Sequence, residues 1–138
     1  MGAPNTGGDS FASWGWDPEH WRQEQGQDLT LRQVRGYLEQ AALSDVTQRL
    51  LLSEPVKTLL KQMKRLELVE RVLCRKVPDS STLETLKQVL VPESRIQTLL
   101  TTCHKHAGHP GTDRMLPLLQ RNFYWPKMEQ VVQTFVQS

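Results

Sequence analysis

A helix cannot run unbroken through CHKHAGHPGTDRMLPLLQRNFYWPKMEQVVQTFVQS, residues 103–138. Gly108 and Gly111 supply a turn, Pro117 removes a helical donor, and Pro126 fixes φ at a further break. Two helix-sized pieces remain, joined by Phe123-Tyr124-Trp125-Pro126. In the first, Met115, Leu116, Leu118, Leu119 and Phe123 form the apolar side. Thr112 is its expected cap, and Asp113 lies in the first turn, where the macrodipole favours an anion. In the second, Met128, Val131, Val132, Phe135 and Val136 recur at helical spacing and make one apolar stripe. Such a pair reads as a helix-turn-helix-like unit, with the three aromatic rings wedged between the helices.

Upstream, residues 1–13 are rich in Gly, Ser, Asn and Pro and read as a disordered tail. Residues 14–65 read as a helical extension. Trp14, Trp16 and Trp21 fall close together, and some of these rings are expected to dock on the domain, the alternative being a peptide-binding surface. Asp17 and Pro18 form a helix start, with Asp17 as N-cap. Leu31, Val34 and Leu38 mark a second helix, in which Gly36 is a weak point, and residues 43–52 carry a shorter apolar pattern. Ser53-Glu54-Pro55 starts a third helix. Val56, Leu59, Leu60, Met63 and Leu66 form its inner face, and Lys57, Lys61 and Lys64 its outer one.

Residues 66–77 read as one strand and residues 86–91 as its partner across the turn cluster Pro78-Asp79-Ser80-Ser81, so that 66–91 is a β-hairpin. Cys74 fits the strand as a small buried hydrophobe. Pro92 and Glu93 open the helix that carries Ile96, Leu99, Leu100 and Cys103 on one face and His104 in its last turn. The expected fold is therefore mainly α with a minor β part: about five helices and one short hairpin.

Charge and composition narrow the function classes. Residues 1–56 hold four Lys/Arg against eight Asp/Glu, net −4; residues 57–138 hold thirteen against seven, net +6; together they give the +2 of the whole chain. A basic C-terminal part suits a nucleic-acid surface and equally a solvated face. Two cysteines make no disulfide framework, and no run of apolar residues reaches membrane-spanning length. Intracellular residence is the expectation, nuclear if DNA is the partner. Phosphate loops, magnesium-type carboxylate clusters and nucleophile elbows are missing from the sequence, so no self-sufficient enzyme is expected.

His104 and His109, separated by Lys105-His106-Ala107-Gly108, can meet one metal ion if the chain turns at Gly108. By itself a His-x4-His pair is a weak signal. Together with Gly108-His109-Pro110-Gly111 and Phe123-Tyr124-Trp125-Pro126-Lys127-Met128, however, it resembles the His-His-Cys-Cys zinc domain that opens retroviral and retrotransposon integrases, the gypsy class above all. The resemblance reaches upstream through Gln25-Gly26-Gln27-Asp28 with Leu31, Val34 and Leu38, then LELVERVLCR at residues 66–75, then Val89-Leu90-Val91-Pro92. Three departures stand out. Glu70-Arg71 replaces that family's Asp/Asn-Gly turn, Pro117 interrupts a helix, and the Cys-x-x-Cys is not in the chain.

The resemblance implies an incomplete zinc-binding domain over residues 92–138, with His104 and His109 as ligands and zinc held weakly or not at all. It implies no catalytic role, since the family's Asp-Asp-Glu core is lacking, and no membrane role. DNA is the implied partner, through Lys57, Lys61, Lys64, Arg65, Arg114, Arg121 and Lys127, with further copies or other integrase domains as assembly partners. Gly108, Gly111 and Phe123 to Pro126 are the implied structural positions. The alternative is a relic or domesticated protein-interaction domain without a DNA role.

Overall fold

The computed structural model describes residues 16–40, 52–79, 81–109 and 111–137. Among them are six α-helices: α1 (Pro18–Gly26), α2 (Leu29–Gln40), α3 (Glu54–Leu60), α4 (Glu93–His106), α5 (Thr112–Gln120) and α6 (Met128–Gln137). A 3₁₀ turn, Met63–Arg65, leads into the sheet formed by β1 (Leu66–Val69), β2 (Val72–Pro78), β3 (Thr85–Leu90) and β4 (Phe123–Tyr124). The strands lie in the order β1-β2-β3-β4; the first three are antiparallel, and β4 runs parallel to β3.

This is a mixed α+β fold, which corrects the expectation of a mainly helical chain with one hairpin. Two local events account for the difference. The segment read as one strand folds back at Glu70-Arg71, where both residues have positive φ (50° and 67°). Positive φ at both central residues is the requirement of a two-residue hairpin turn. The second event is at Phe123-Tyr124, which joins the edge of β3 as a strand, pairing Val89 with Phe123 and Leu90 with Tyr124. Phe123 and Trp125 are buried as expected, but Phe123 reaches the core from a sheet edge and not from a helix–helix corner.

Side-chain alternation along the strands divides the core in two. Val72, Cys74, Val89 and Phe123 face a cluster made by Trp21 of α1, Leu99, Leu100 and Cys103 of α4, Met115 and Leu119 of α5, and Met128 and Val132 of α6. Leu66, Leu73 and Leu90 face the opposite cluster, with Leu31 and Val34 of α2 and Val56 and Leu59 of α3. The sheet is thus the middle of three layers. Each fully buried aliphatic or aromatic group contributes roughly 1.5–3 kcal/mol over leaving it in water. Pro117 is accommodated inside α5, on its exposed side.

Two polar residues stitch the layers together. Gln25, 2% exposed, projects from α1 to the place where β2 and β3 splay apart. Its amide nitrogen donates to Leu73 O (2.9 Å) and Leu90 O (2.8 Å), and its amide oxygen accepts from Leu73 N (2.8 Å). The carboxamide stands where the next ladder rung would close. Asp28 divides its carboxylate: Oδ1 accepts from Leu31 N (3.0 Å) at the start of α2, and Oδ2 from Glu93 N (3.1 Å) at the start of α4. Asp17 caps α1 as expected, through His20 N (3.2 Å). Ser53 occupies the N-cap of α3 without a side-chain hydrogen bond, and Gly111, not Thr112, is the N-cap of α5.

Trp21 is buried in the core, and Trp16 packs against it, its Nε1 donating to Glu70 Oε2 (3.1 Å) with Lys87 Nζ 3.5 Å above its ring. Trp14, the tail at residues 1–13 and nearly all of the 43–52 pattern lie outside the described residues.

Candidate metal centre

The last turn of α4 explains the spacing of the two histidines. Ala107 is its C-cap, and Gly108 follows with φ 77°. Gly108 N donates to Lys105 O (3.3 Å) and His109 N to His104 O (2.8 Å), closing the two bonds of a Schellman motif. In that motif the third-last helical residue and the second residue beyond the cap come side by side, usually as an apolar pair. Here the two positions are His104 and His109, five residues apart in sequence. Their rings meet edge to face at 4.6 Å, with Nδ1 facing Nδ1 at 3.1 Å.

Two ring nitrogens this close share a proton or a cation. Tetrahedral zinc with Zn–N bonds of 2.0–2.1 Å sets its ligand nitrogens about 3.3 Å apart. The observed 3.1 Å separation therefore suits two of four ligands. The partial negative charge at the C-terminal end of α4 favours a cation there as well. His104 is half-buried, with the Phe135 ring of α6 edge-on at 5.6 Å, while His109 is exposed with φ 59°. The last turn of α6 thus lies beside the pair.

Among the described residues, no third His, Cys, Asp or Glu joins the pair in a group able to hold a metal. Cys103, one position before His104, is 1% exposed in the core, and Cys74 is fully buried in β2. Burial pushes both thiols up to about 11. Both are enclosed in the core, and neither joins the histidine pair in a metal-holding group. His106 is exposed, in the last turn of α4. The residues present thus fit half of a four-ligand zinc site, built from His104 and His109.

Residues 91–138 match the integrase zinc binding domain family. That span holds the histidine pair, α4, α5, β4 and α6. No curated protein and no solved structure matches the chain. The integrase-type segment is not packed by itself: its Leu99, Cys103, Phe123 and Trp125 share one cluster with Trp21 of α1 and with the sheet.

The seven basic residues named from the sequence fall into separate groups. Lys57, Lys61, Lys64 and Arg65 belong to α3 and the turn after it, in the layer with α2, and Lys57 is paired with Glu54 (3.4 Å). Arg114 on α5 and Arg121 at its C-cap lie in the layer across the sheet, beside a groove shared with Asp79. Lys127, with φ 60°, precedes α6 at a cavity of about 390 Å³ that Glu54 also lines. The fold does not gather them on one face. Gly108 sits in the αL position that its turn requires; Gly111 has no such need and serves as an N-cap.

Gln25 and Asp28, which position α1, α2 and α4, were legible only as letters of the resemblance. A signal for Gln25 was present: it stands one helical turn after Trp21, on the buried side of α1. No helix among the described residues is long and apolar enough to cross a membrane.

Proposed function

We propose that this chain is the non-catalytic N-terminal region of a retrotransposon-type integrase of the gypsy class, carrying the histidine half of its zinc site and contributing to assembly of the integrase and to its hold on DNA in the nucleus. The observation that carries the reading is the His104–His109 pair, set at 3.1 Å by the Schellman end of α4 inside the segment that matches the integrase zinc binding domain. His104 and His109 would hold the metal. Zinc there supplies structural cross-linking, closing the end of α4 against its surroundings. The protein's own part is orientation: Gly108 makes the turn, and Phe135 flanks the His104 ring.

The test is zinc content and thermal stability of this chain beside a version extended past Ser138 by a Cys-x-x-Cys. Near-stoichiometric zinc and a raised Tm in the extended version alone are the expected result. Zinc in neither version, or equal zinc in both, would overturn the reading of the pair as half a site. DNA binding is read separately by titrating salt, with a log–log slope near −0.9 per phosphate neutralised. The separation of Lys57, Lys61, Lys64 and Arg65 from Arg114 and Arg121 by the sheet favours a second reading, an assembly module that touches no DNA. That reading predicts no DNA affinity even at low salt.

A further inference from the structure

β3 is paired with β2 from Thr85 to Val89, but on its other side only at its C-terminal end. Val89 N donates to Asn122 O (2.8 Å) and Val91 N to Tyr124 O (3.0 Å), so the odd-numbered residues turn their main-chain groups toward β4. Strand alternation places those of Thr85 and Lys87 on the same side. The β4 pairing begins only at Val89, and neither N–H has a main-chain partner there among the described residues.

Beside this half-edge, reaching β3 at Leu86, lies an open groove of about 790 Å³ whose far wall is α5. Leu86, Pro117 and Leu118 give it apolar lining, and Arg114, Arg121 and Asp79 stand around it. A second observation lies at one end of it. Leu83, next to the groove-lining Thr82, is 90% exposed and held at φ 66°, with its N–H donating to Asp79 O (2.8 Å). A leucine locked into water beside an unpaired strand edge offers an apolar anchor to whatever lies along that edge. Exposed edges are normally blunted by charge, bulges or cover, because they template strand addition.

We propose that the slot between the free half of β3 and α5 takes an extended peptide segment of a partner protein, added to the sheet in line with β4. Main-chain bonds to Thr85 and Lys87 hold the peptide, and its apolar side chains meet Leu86, Leu118 and Leu83. This is strand addition at a sheet edge, in which the backbone gives affinity and alternate side chains give specificity. The proposal is independent of zinc and of DNA.

The first arm is amide hydrogen exchange by NMR on the whole chain. Thr85 and Lys87 amides exchange fast while Leu86 and Gln88 amides, paired with β2, exchange slowly. A protected Lys87 amide in the free protein would mean that the edge is already filled, and would overturn the proposal. The second arm selects binders from a random-peptide phage library on the whole chain. The selected peptides should protect the Thr85 and Lys87 amides. Lys87→Pro removes the outward donor without touching the β2 ladder, and should weaken binding by roughly tenfold or more. Lys87→Ala, which keeps the N–H but loses the contact with Trp16, should bind as the parent does. Should Lys87→Pro misfold, N-methylation of the peptide decides: methyls on alternate, edge-facing amides abolish binding and methyls on the others do not. No selected peptide, or peptides indifferent to both changes, would overturn the proposal. Self-association that Lys87→Pro abolishes would assign the slot to a second copy instead, and would likewise overturn it.

Discussion

Among the described residues, left-handed backbone occurs at two adjacent pairs, and the two are held in different ways. At the β1–β2 turn, Glu70 and Arg71 have φ 50° and 67°. Neither is glycine, and such a conformation costs roughly 1–2 kcal/mol per residue. Three side chains from outside the hairpin secure it: Arg22 donates to Glu70 O (2.9 Å), Arg35 to Arg71 O (2.5 Å), and Trp16 to the Glu70 carboxylate (3.1 Å). At the end of α4, Gly108 and His109 have φ 77° and 59°, and the bonds securing them come from the helix itself. One turn is clamped by the scaffold, and the other is left to its own hydrogen bonds and to whatever the two imidazoles bind. A chain clamped from outside can tolerate unsuitable residues. One held locally depends on its glycine and, in the reading proposed above, on its metal.

The largest effect is expected where the scaffold side of this contrast is cut. Gln25→Ala leaves Leu73 N, Leu73 O and Leu90 O buried without partners. A loss of about 3 kcal/mol is expected in urea unfolding, at 1–3 kcal/mol per buried unsatisfied group offset by relaxation and water. A loss under about 1 kcal/mol would mean that the splayed strands close again without the amide. Next comes Arg71→Gly, which removes a misfit at φ 67° while keeping the carbonyl that Arg35 reaches. Stability should rise by about 1 kcal/mol. No gain would show that the clamps already absorb the strain in full. Gly108→Ala should lower stability by about 1 kcal/mol, through φ alone, because a Cβ there meets no atom within 4 Å. In a zinc-binding extended version it should weaken zinc affinity as well, whereas Arg71→Gly should not.

The smallest effect concerns pH. The Arg95 hydrogen bonds joining α4 to α1 hold the Glu24 carboxyl below the ordinary Glu value of 4.5. A lowered folded pKa means that this ion pair contributes above the unfolded pKa and is lost as pH falls through the folded one. Acid titration of stability should therefore show a component, absent in Glu24→Gln, below about pH 4.3. An identical acid profile in the variant would place the pair among surface contacts without measurable worth.

Much of the helical part was legible. The apolar stripes of α2, α4, α5 and α6, the Asp17 cap and the Pro18 start follow from local spacing and capping chemistry, which a sequence displays directly. The sheet was less so. Glu70-Arg71 has none of the residues that favour a left-handed turn, because its conformation is imposed by Arg22, Arg35 and Trp16, up to 54 residues away in sequence. β4 is two residues long, too short for any period, and exists because β3 offers it an edge. For the candidate site, the histidine pair was visible as a spacing, and its geometry follows from the helix end that puts positions six apart, counted inclusively, into contact. Which cations share a surface was not visible, since that depends on which side of the sheet each helix packs.

The divided carboxylate of Asp28 has a consequence for anyone who wishes to move this zinc-type segment into another protein. One oxygen starts α2 and the other starts α4, so the boundary of the matched segment at residue 91 cuts through a shared cap. A graft beginning there would arrive with the first turn of α4 missing a partner and one wall of its core missing Trp21. The transferable cassette is longer than the motif that advertises it: it begins upstream of Trp21 and brings the sheet along.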